Sequence, residues 1–283
     1  MMCVTNLLNA AAAPYILVMT ETSHSSSKPV TAGLAIIGNE ILSGRTRDAN
    51  LQYLGDELNK LGIRMMEVRV VSDVPDAIIE AVNTLRQRYD YVFTTGGIGP
   101  THDDITSECI AKAFGIDFGP HPEAVALLQD HYAARGDEFT PARQRMANTP
   151  KDAILIDNPV SKAPGFQVEN VFVLPGVPKT MQVMFAGMRH RLTGGQPMVS
   201  RTVTSHVPEG RAGGPLAELQ TRHPDTEIGS YPFFRDNRHG AQVVIRAEDP
   251  AKADAAAEDV IAMLIALGGE PVLEPVADDA KTG

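Results

Sequence analysis

Tryptophan is absent from the 283 residues, and cysteine occurs only twice, at Cys3 and Cys109. Two cysteines cannot build a disulfide framework or a cysteine zinc site. Cys109 falls inside a helical pattern and reads as a small core residue, not a nucleophile. Basic residues are outnumbered: 25 Lys and Arg face 35 Asp and Glu, a net charge of −10, and they are scattered. That excludes a general nucleic-acid surface but leaves room for a local phosphate site. Apolar runs stop well short of the ~20 residues of a membrane span. Leu7 to Met19 is apolar but lacks the preceding Lys or Arg of a secretory signal and the arginines of a transit peptide. Residues 1–29 therefore read as a disordered leader, with Met1 and Met19 both open as starts. The expected setting is cytoplasmic, with no membrane or nucleic-acid partner.

An apolar content of 43% is enough for sizeable cores, and the length allows one large or two ordinary domains. Thr31–Ile37 is a short β-prone run suited to a buried parallel strand. It ends in Gly38-Asn39-Glu40-Ile41-Leu42-Ser43-Gly44, read as a loop. A helix follows from about Asp48 to Leu61, with leucines at helical spacing and Gly62 as its stop. Ile63–Val71 is the next strand, then Ser72-Asp73, a helix opened by Pro75, and a third strand over Tyr89–Thr95. Strands alternating with helices imply a parallel sheet with right-handed crossovers. Ligands of such sheets bind at the carboxyl ends of the strands, where three polar loops converge: Gly38–Gly44, Ser72-Asp73 and Gly96–Asp104.

The third loop, Thr-Thr-Gly-Gly-Ile-Gly-Pro-Thr-His-Asp-Asp-Ile-Thr over 94–106, carries most of the chemistry. Gly96, Gly97 and Gly99 allow positive φ and close approach of a ligand to the backbone. Amides at the start of the following helix attract an anion such as phosphate. Asp103 and Asp104 set two carboxylates beside it, which suggests a phosphorylated ligand bridged by a metal. Each acid also has a plainer reading. Asp104 and Asp48 suit helix starts, Asp73 suits a cap for the Pro75 helix, and Asp103 suits a solvated surface. His102 reads as a solvent-facing loop residue, and no His-x-His spacing supports a structural metal.

Two further helices are expected over 123–135 and 141–147, and strands over 153–156 and 171–174. Asn158–Phe166 reads as a loop, and Pro175-Gly176-Val177-Pro178 leads into a helix reaching about Leu192. Gly194–Pro197 reads as a linker. Beyond it, strands over 199–204, 226–231 and 242–247, a short helix over 216–222 and an amphipathic helix over 250–267 suggest a small α+β domain spanning 197–275. Residues 276–283 read as a loose tail.

Gly-Asn-Glu-Ile-Leu-Ser-Gly, Asp48-Ala49-Asn50, the 94–106 loop, Ala-Pro-Gly-Phe and Leu-Pro-Gly-Val-Pro together resemble the molybdopterin-binding (MoaB/Mog-like) domain family. The resemblance is closest to the amino-terminal part of CinA-like proteins, and the same domain precedes the synthetase in eukaryotic FAD synthases. It covers about 31–193, and the Gly-Ser-Tyr-Pro segment with the last helix is similar to the small domain that follows in CinA. The resemblance implies a three-layer α/β/α fold with a mostly parallel sheet and homo-oligomers. It implies a pterin or nucleotide ligand, molybdopterin among them, or a diphosphate such as ADP-ribose or FAD hydrolysed with Mg²⁺, Mn²⁺ or Co²⁺. Matched by motif, Glu40, Asp103 and Asp104 would be catalytic, with the cation on Asp103 and Asp104. Gly38, Asn39, Asp48, Asn50, Asp73, Thr95, Gly96, Gly97, Gly99, Pro100, Thr101, Thr106, Pro175 and Gly176 would line the ligand. The chain departs from the CinA pattern at Thr180, where a Glu is common, and at Ser161, where a Gly is common. Three outcomes stay open: a diphosphate hydrolase, a binder without turnover, and an assembly role for the small domain.

Overall fold

The structure is a computed structural model that describes residues 28–235 and 237–275. The expected leader (apart from Lys28 and Pro29) and the expected tail lie outside the described residues. Its first part runs β1 (Val30–Ile37), α1 (Asn39–Leu42), α2 (Asn50–Lys60), β2 (Ile63–Val71), α3 (Pro75–Arg88), β3 (Tyr91–Thr95) and α4 (Thr106–Phe114). Then come β4 (Phe118–Pro120), α5 (Pro122–Ala134), α6 (Pro141–Gln144), β5 (Asn148–Pro150), β6 (Ile154–Ile156), β7 (Gly165–Val168), β8 (Val171–Leu174) and α7 (Pro178–Met188).

Six of these strands form one sheet in the order β2-β1-β3-β8-β7-β6. The first four are mutually parallel, and β7 alone runs against its neighbours. Alternation along the strands splits the core in two. Leu34, Ile36, Phe93, Phe172 and Leu174 pack under Leu54 and Leu58 of α2 and Met181, Met184 and Phe185 of α7. Ala35, Ile37, Val92, Val171 and Val173 pack under Ile78, Val82 and Leu85 of α3 and Cys109 and Ile110 of α4. This is the expected three-layer α/β/α fold. Each fully buried Leu, Ile or Phe contributes about 1.5–3 kcal/mol. A satellite lobe of α5, α6 and the two-stranded β4–β5 sheet has its own small core of Ala124, Leu128 and Ala147 beside Phe139 and Tyr132.

The second part runs β9 (Val199–Ser205), α8 (Glu209–Arg222), β10 (Glu227–Arg235), β11 (Arg238–Ala247), α9 (Pro250–Ala266) and β12 (Val272–Leu273). Its antiparallel sheet, in the order β10-β11-β9-β12, is covered by α8 and α9. The segment between the two parts is fastened at both ends. The Thr193 amide donates to the Tyr91 hydroxyl at 2.9 Å, and the Gly195 amide donates to the Gly62 carbonyl at 3.2 Å. Arg64 of β2 pairs with Glu248 at 2.7 Å and Glu227 at 3.7 Å in the second part.

Among the elements that differ from the sequence expectation, three have a physical cause. Residues 39–42 form a helical turn inside the expected loop, because the Asp73 carboxylate accepts the Asn39 amide at 2.8 Å and supplies a cap from another strand end. Helix α8 starts seven residues earlier than expected and takes in Gly213, Gly214 and Pro215. Gly165 and Phe166, read as the end of a loop, open β7, where a side chain at 165 would strike the Val173 carbonyl.

Candidate functional site

The chain leaves β3 through two positive-φ glycines at which an added side chain would collide with its surroundings. Gly96 has φ +103°, and a Cβ there would collide with the Ile37 carbonyl at the end of β1. Gly97 has φ +67°, and its Cβ would collide with the Thr106 hydroxyl. The backbone loss of freedom at such positions is the cost of a loop laid flat on its neighbours. Thr106, fully buried, clasps that loop: its hydroxyl donates to the Gly96 carbonyl and its amide to the Gly97 carbonyl, both at 3.0 Å. Its hydroxyl is therefore spent inside the protein, contrary to a ligand-facing role. The next amides, Ser107 and Glu108, belong to the first-turn donors that an α-helix leaves without an internal acceptor.

Beyond the glycines, Thr101 joins the two aspartates. Its amide donates to Asp104 Oδ2 at 2.8 Å, and its hydroxyl lies 2.6 Å from both Asp104 Oδ2 and Asp103 Oδ1. One hydroxyl proton serves one carboxylate at a time, so the two acids are coupled through it. The Thr101 hydroxyl holds the Asp103 carboxyl below its ordinary value, helped by the Asp103 amide. Asp104 caps this turn and not α4, whose N-cap residue, Ile105, makes no side-chain bond. His102 and Pro100 are exposed, as a solvent-facing loop requires.

A cavity of about 140 Å³ opens beside the loop, lined by Ile98, Gly99, Asp104, Ser107, Glu108, Phe118, Arg145 and Asn148. Arg145 Nη2 donates to the Asp104 carbonyl at 3.5 Å. Arg145, Asn148, Ser107 and Phe118 were not legible as site residues. Arg145 sits 41 residues past Asp104 on a different lobe, and no motif marks it.

Glu40 and the Asp48–Asn50 turn assemble a second cavity, about 50 Å³, with Thr46, Thr95, Gly176 and Pro178. Asp48 Oδ1 accepts the Leu51 amide at 2.8 Å, so it caps α2 while lining the cavity. Asn50, 2% exposed, donates through Nδ2 to the Gly176 carbonyl at 2.8 Å. Asn50 Oδ1 and Thr95 Oγ1 are buried without a partner among the described residues. An unsatisfied buried polar group costs about 1–3 kcal/mol, which suits a cavity completed by ligand or solvent. Gly38 is buried at the end of β1, its amide donating to the Val71 carbonyl at 3.1 Å. Asp73 lines neither cavity; it holds α1 through Asn39 and makes no cap for α3. Glu40 and Asp104 therefore belong to neighbouring cavities at one sheet edge, not to one cluster. Pro175 is half-buried in the turn between β8 and α7; Thr180, in the first turn of α7, lines neither cavity.

Among the described residues no group of three or more His, Cys, Asp and Glu side chains is placed to hold a metal, and no helix is long and apolar enough to cross a membrane.

Comparison with known proteins agrees with this architecture. Residues 33–193 match the family described as "Probable molybdopterin binding domain", and residues 197–267 match "FAD synthase, middle domain". A protein of Pyrobaculum calidifontis is 36% identical over 211 residues, 71% of this chain and 80% of that one. A CinA-like protein of Kosmotoga olearia is 36% identical over 158 residues, which is 54% of this chain and 38% of that longer protein. The crystal structure of CinA from Thermoplasma acidophilum, described as of unknown function, superposes with a TM-score of 0.54 at 36% identity, covering 58% of this chain and 99% of that one. With a parallel-sheet edge built from the same ordered motifs and a family match over most of the first part, the chain belongs to the molybdopterin-binding-domain (MoaB/Mog-like) family and is a CinA-like member of it, carrying a second domain of the FAD synthase middle-domain type.

Proposed function

We propose that the chain binds a nucleoside-diphosphate-linked compound of the ADP-ribose or FAD type at this sheet edge and hydrolyses it with a divalent cation. The observation that carries the reading is the coupled Asp103–Thr101–Asp104 turn set against the start of α4. Amides of the 97–101 loop and of the first turn of α4 hold the diphosphate, aided by the helix dipole. Arg145 offsets phosphate charge from the far wall of the 140 Å³ cavity. The match of the second domain to an FAD synthase domain supports a nucleotide ligand.

Two adjacent carboxylates fit a magnesium-class ion, which keeps several waters and takes its remaining ligands from substrate phosphates. They do not fit an all-protein cage, given the absence of a third acid, Cys or His in the described cluster. Asp103 and Asp104 would hold the ion, Mg²⁺, Mn²⁺ or Co²⁺, and its chemistry would be to polarise the phosphoryl group and acidify water. Glu40 and Asp48 face the neighbouring cavity and orient the part of the ligand that reaches Asn50 and Thr95. Cytoplasmic residence and self-association into a homo-oligomer belong to the same proposal.

The test is AMP release from ADP-ribose and FAD by purified protein with each of the three cations. No release with any of them sinks the hydrolytic reading. A second reading, a molybdopterin or nucleotide binder without turnover, is favoured by Thr180, which stands where CinA-like proteins commonly carry a Glu. It expects thermal stabilisation by ligand without product. Thr180→Glu then discriminates: an increase of about tenfold or more in AMP release identifies the acid as the missing part of the chemistry.

A further inference from the structure

The 140 Å³ cavity beside Asp104 does not end at Arg145. Arg145 and Asn148 also line a second cavity, about 510 Å³, bounded by Pro120, Val125, Gln129, Phe139, Pro141 and Gln144 of the α5–α6 lobe. The two cavities adjoin at these shared residues. The aspartate-side one is small and mostly polar, and the lobe-side one is wide and half-apolar. The volume of the wide part lies in the range of small-molecule sites.

The wide part has no acidic group in its lining, and Arg145 is its one full charge. Among the described residues, Arg145 has no carboxylate partner and only the Asp104 carbonyl, at 3.5 Å, as an acceptor. Its guanidinium stands between the two cavities, free to pair with a phosphate there. The Gln129 and Asn148 side-chain amides make no hydrogen bond inside the protein among the described residues, whereas the Gln144 amide is already given to the Phe139 carbonyl at 3.0 Å. Phe139 is stacked on Tyr132 with ring centroids 5.8 Å apart, so its ring is held in place as part of the wall. An apolar wall with two uncommitted neutral amides, entered past one cation, suits an uncharged ring carrying hydrogen-bonding edges, joined to a phosphate.

We infer that the α5–α6 lobe is a specificity pocket: it receives the ring moiety on the far side of a diphosphate whose phosphates lie between Arg145 and the α4 start. This rests on the nucleoside-diphosphate reading above and extends it. The preferred ligand carries a ring at each end of the diphosphate, and a simple nucleoside diphosphate leaves the lobe unused.

The experiment compares the affinities of ADP-ribose and ADP by calorimetry, in the presence of Mg²⁺, for the wild-type chain, Gln129→Trp and Arg145→Ala. Both substituted positions are exposed, and thermal unfolding of each variant confirms the fold. Wild type is expected to bind ADP-ribose about tenfold more tightly than ADP, a difference of about 1.4 kcal/mol. Gln129→Trp fills the wide cavity and brings that ratio close to one; Arg145→Ala weakens both ligands about tenfold or more. Equal wild-type affinity for the two ligands, or a ratio unchanged by Gln129→Trp, overturns the lobe assignment while leaving the functional reading standing. A wild-type chain that binds neither ligand overturns both.

Discussion

Asn50 donates its side-chain amide to the Gly176 carbonyl at 2.8 Å, across 126 residues of sequence. The bond ties the start of α2 to the turn after β8 and leaves Asn50 Oδ1 as an unpartnered atom of the smaller cavity. Asn50→Ala removes the bond and leaves the Gly176 carbonyl without it, at a cost of about 1–3 kcal/mol. Urea unfolding should show a lower midpoint at unchanged slope. An unchanged midpoint means the bond holds nothing.

The two glycines after β3 make a sharper claim. Gly97→Ala places a methyl group against the Thr106 hydroxyl in a left-handed backbone, at a cost of about 1–3 kcal/mol. Because Thr106 also clasps Gly96, the loop must shift. Loss of nucleotide binding is expected to exceed what the fall in melting temperature explains. A variant that binds ADP-ribose as wild type does would show that the loop backbone is not a ligand surface.

The Asp103 carboxyl is depressed first of all by the Thr101 hydroxyl. A carboxyl lowered in the folded state lends stability that is present above its unfolded pKa and lost as pH falls through the lowered value. Thr101→Val removes the hydroxyl, so Asp103 should titrate nearer the ordinary aspartate range. The variant should accordingly lose less stability than wild type between neutral and acid pH. Carbon-13 carboxyl titration of both proteins reads the shift, and identical curves would remove the coupling through Thr101.

Burial pushes the Cys109 thiol up to about 11, and it packs among the core residues between α3, α4 and the sheet. The thiolate is the reactive form, so Cys109 is inert at neutral pH. Peptide mapping after iodoacetamide treatment at pH 8 should find position 109 labelled only when the chain is first unfolded. Labelling in the native protein would contradict the packing of α4.

Much of the first domain was legible because its signals are local. Leu51, Leu54, Leu58 and Leu61 mark α2, and the glycine loop between an apolar run and a helix marks the sheet edge. What escaped depends on partners distant in sequence. Residues 39–42 turn into a helix because Asp73 caps them from the end of β2, and α8 carries Gly213-Gly214-Pro215 because its buried face, Ala212, Leu216 and Leu219, outweighs local propensity. The sequence marks Glu40 and Asp104 as candidate acids on converging loops, but not their grouping: they line two separate cavities. Arg145 and Asn148 come from a lobe whose sequence carries no motif at all.

The contact of Gly96 with the Ile37 carbonyl has a mechanical meaning. The loop after β3 is welded to the end of β1 and to α4, so it behaves as an anvil. On the proposed reading, any adjustment to a ligand would fall to the pieces on either side, the short α1 turn held by Asp73 and the Arg145 lobe with its own small core. If these flanks adjust independently, ligand affinity can be tuned by stiffening either one while the anvil stays where the strands put it.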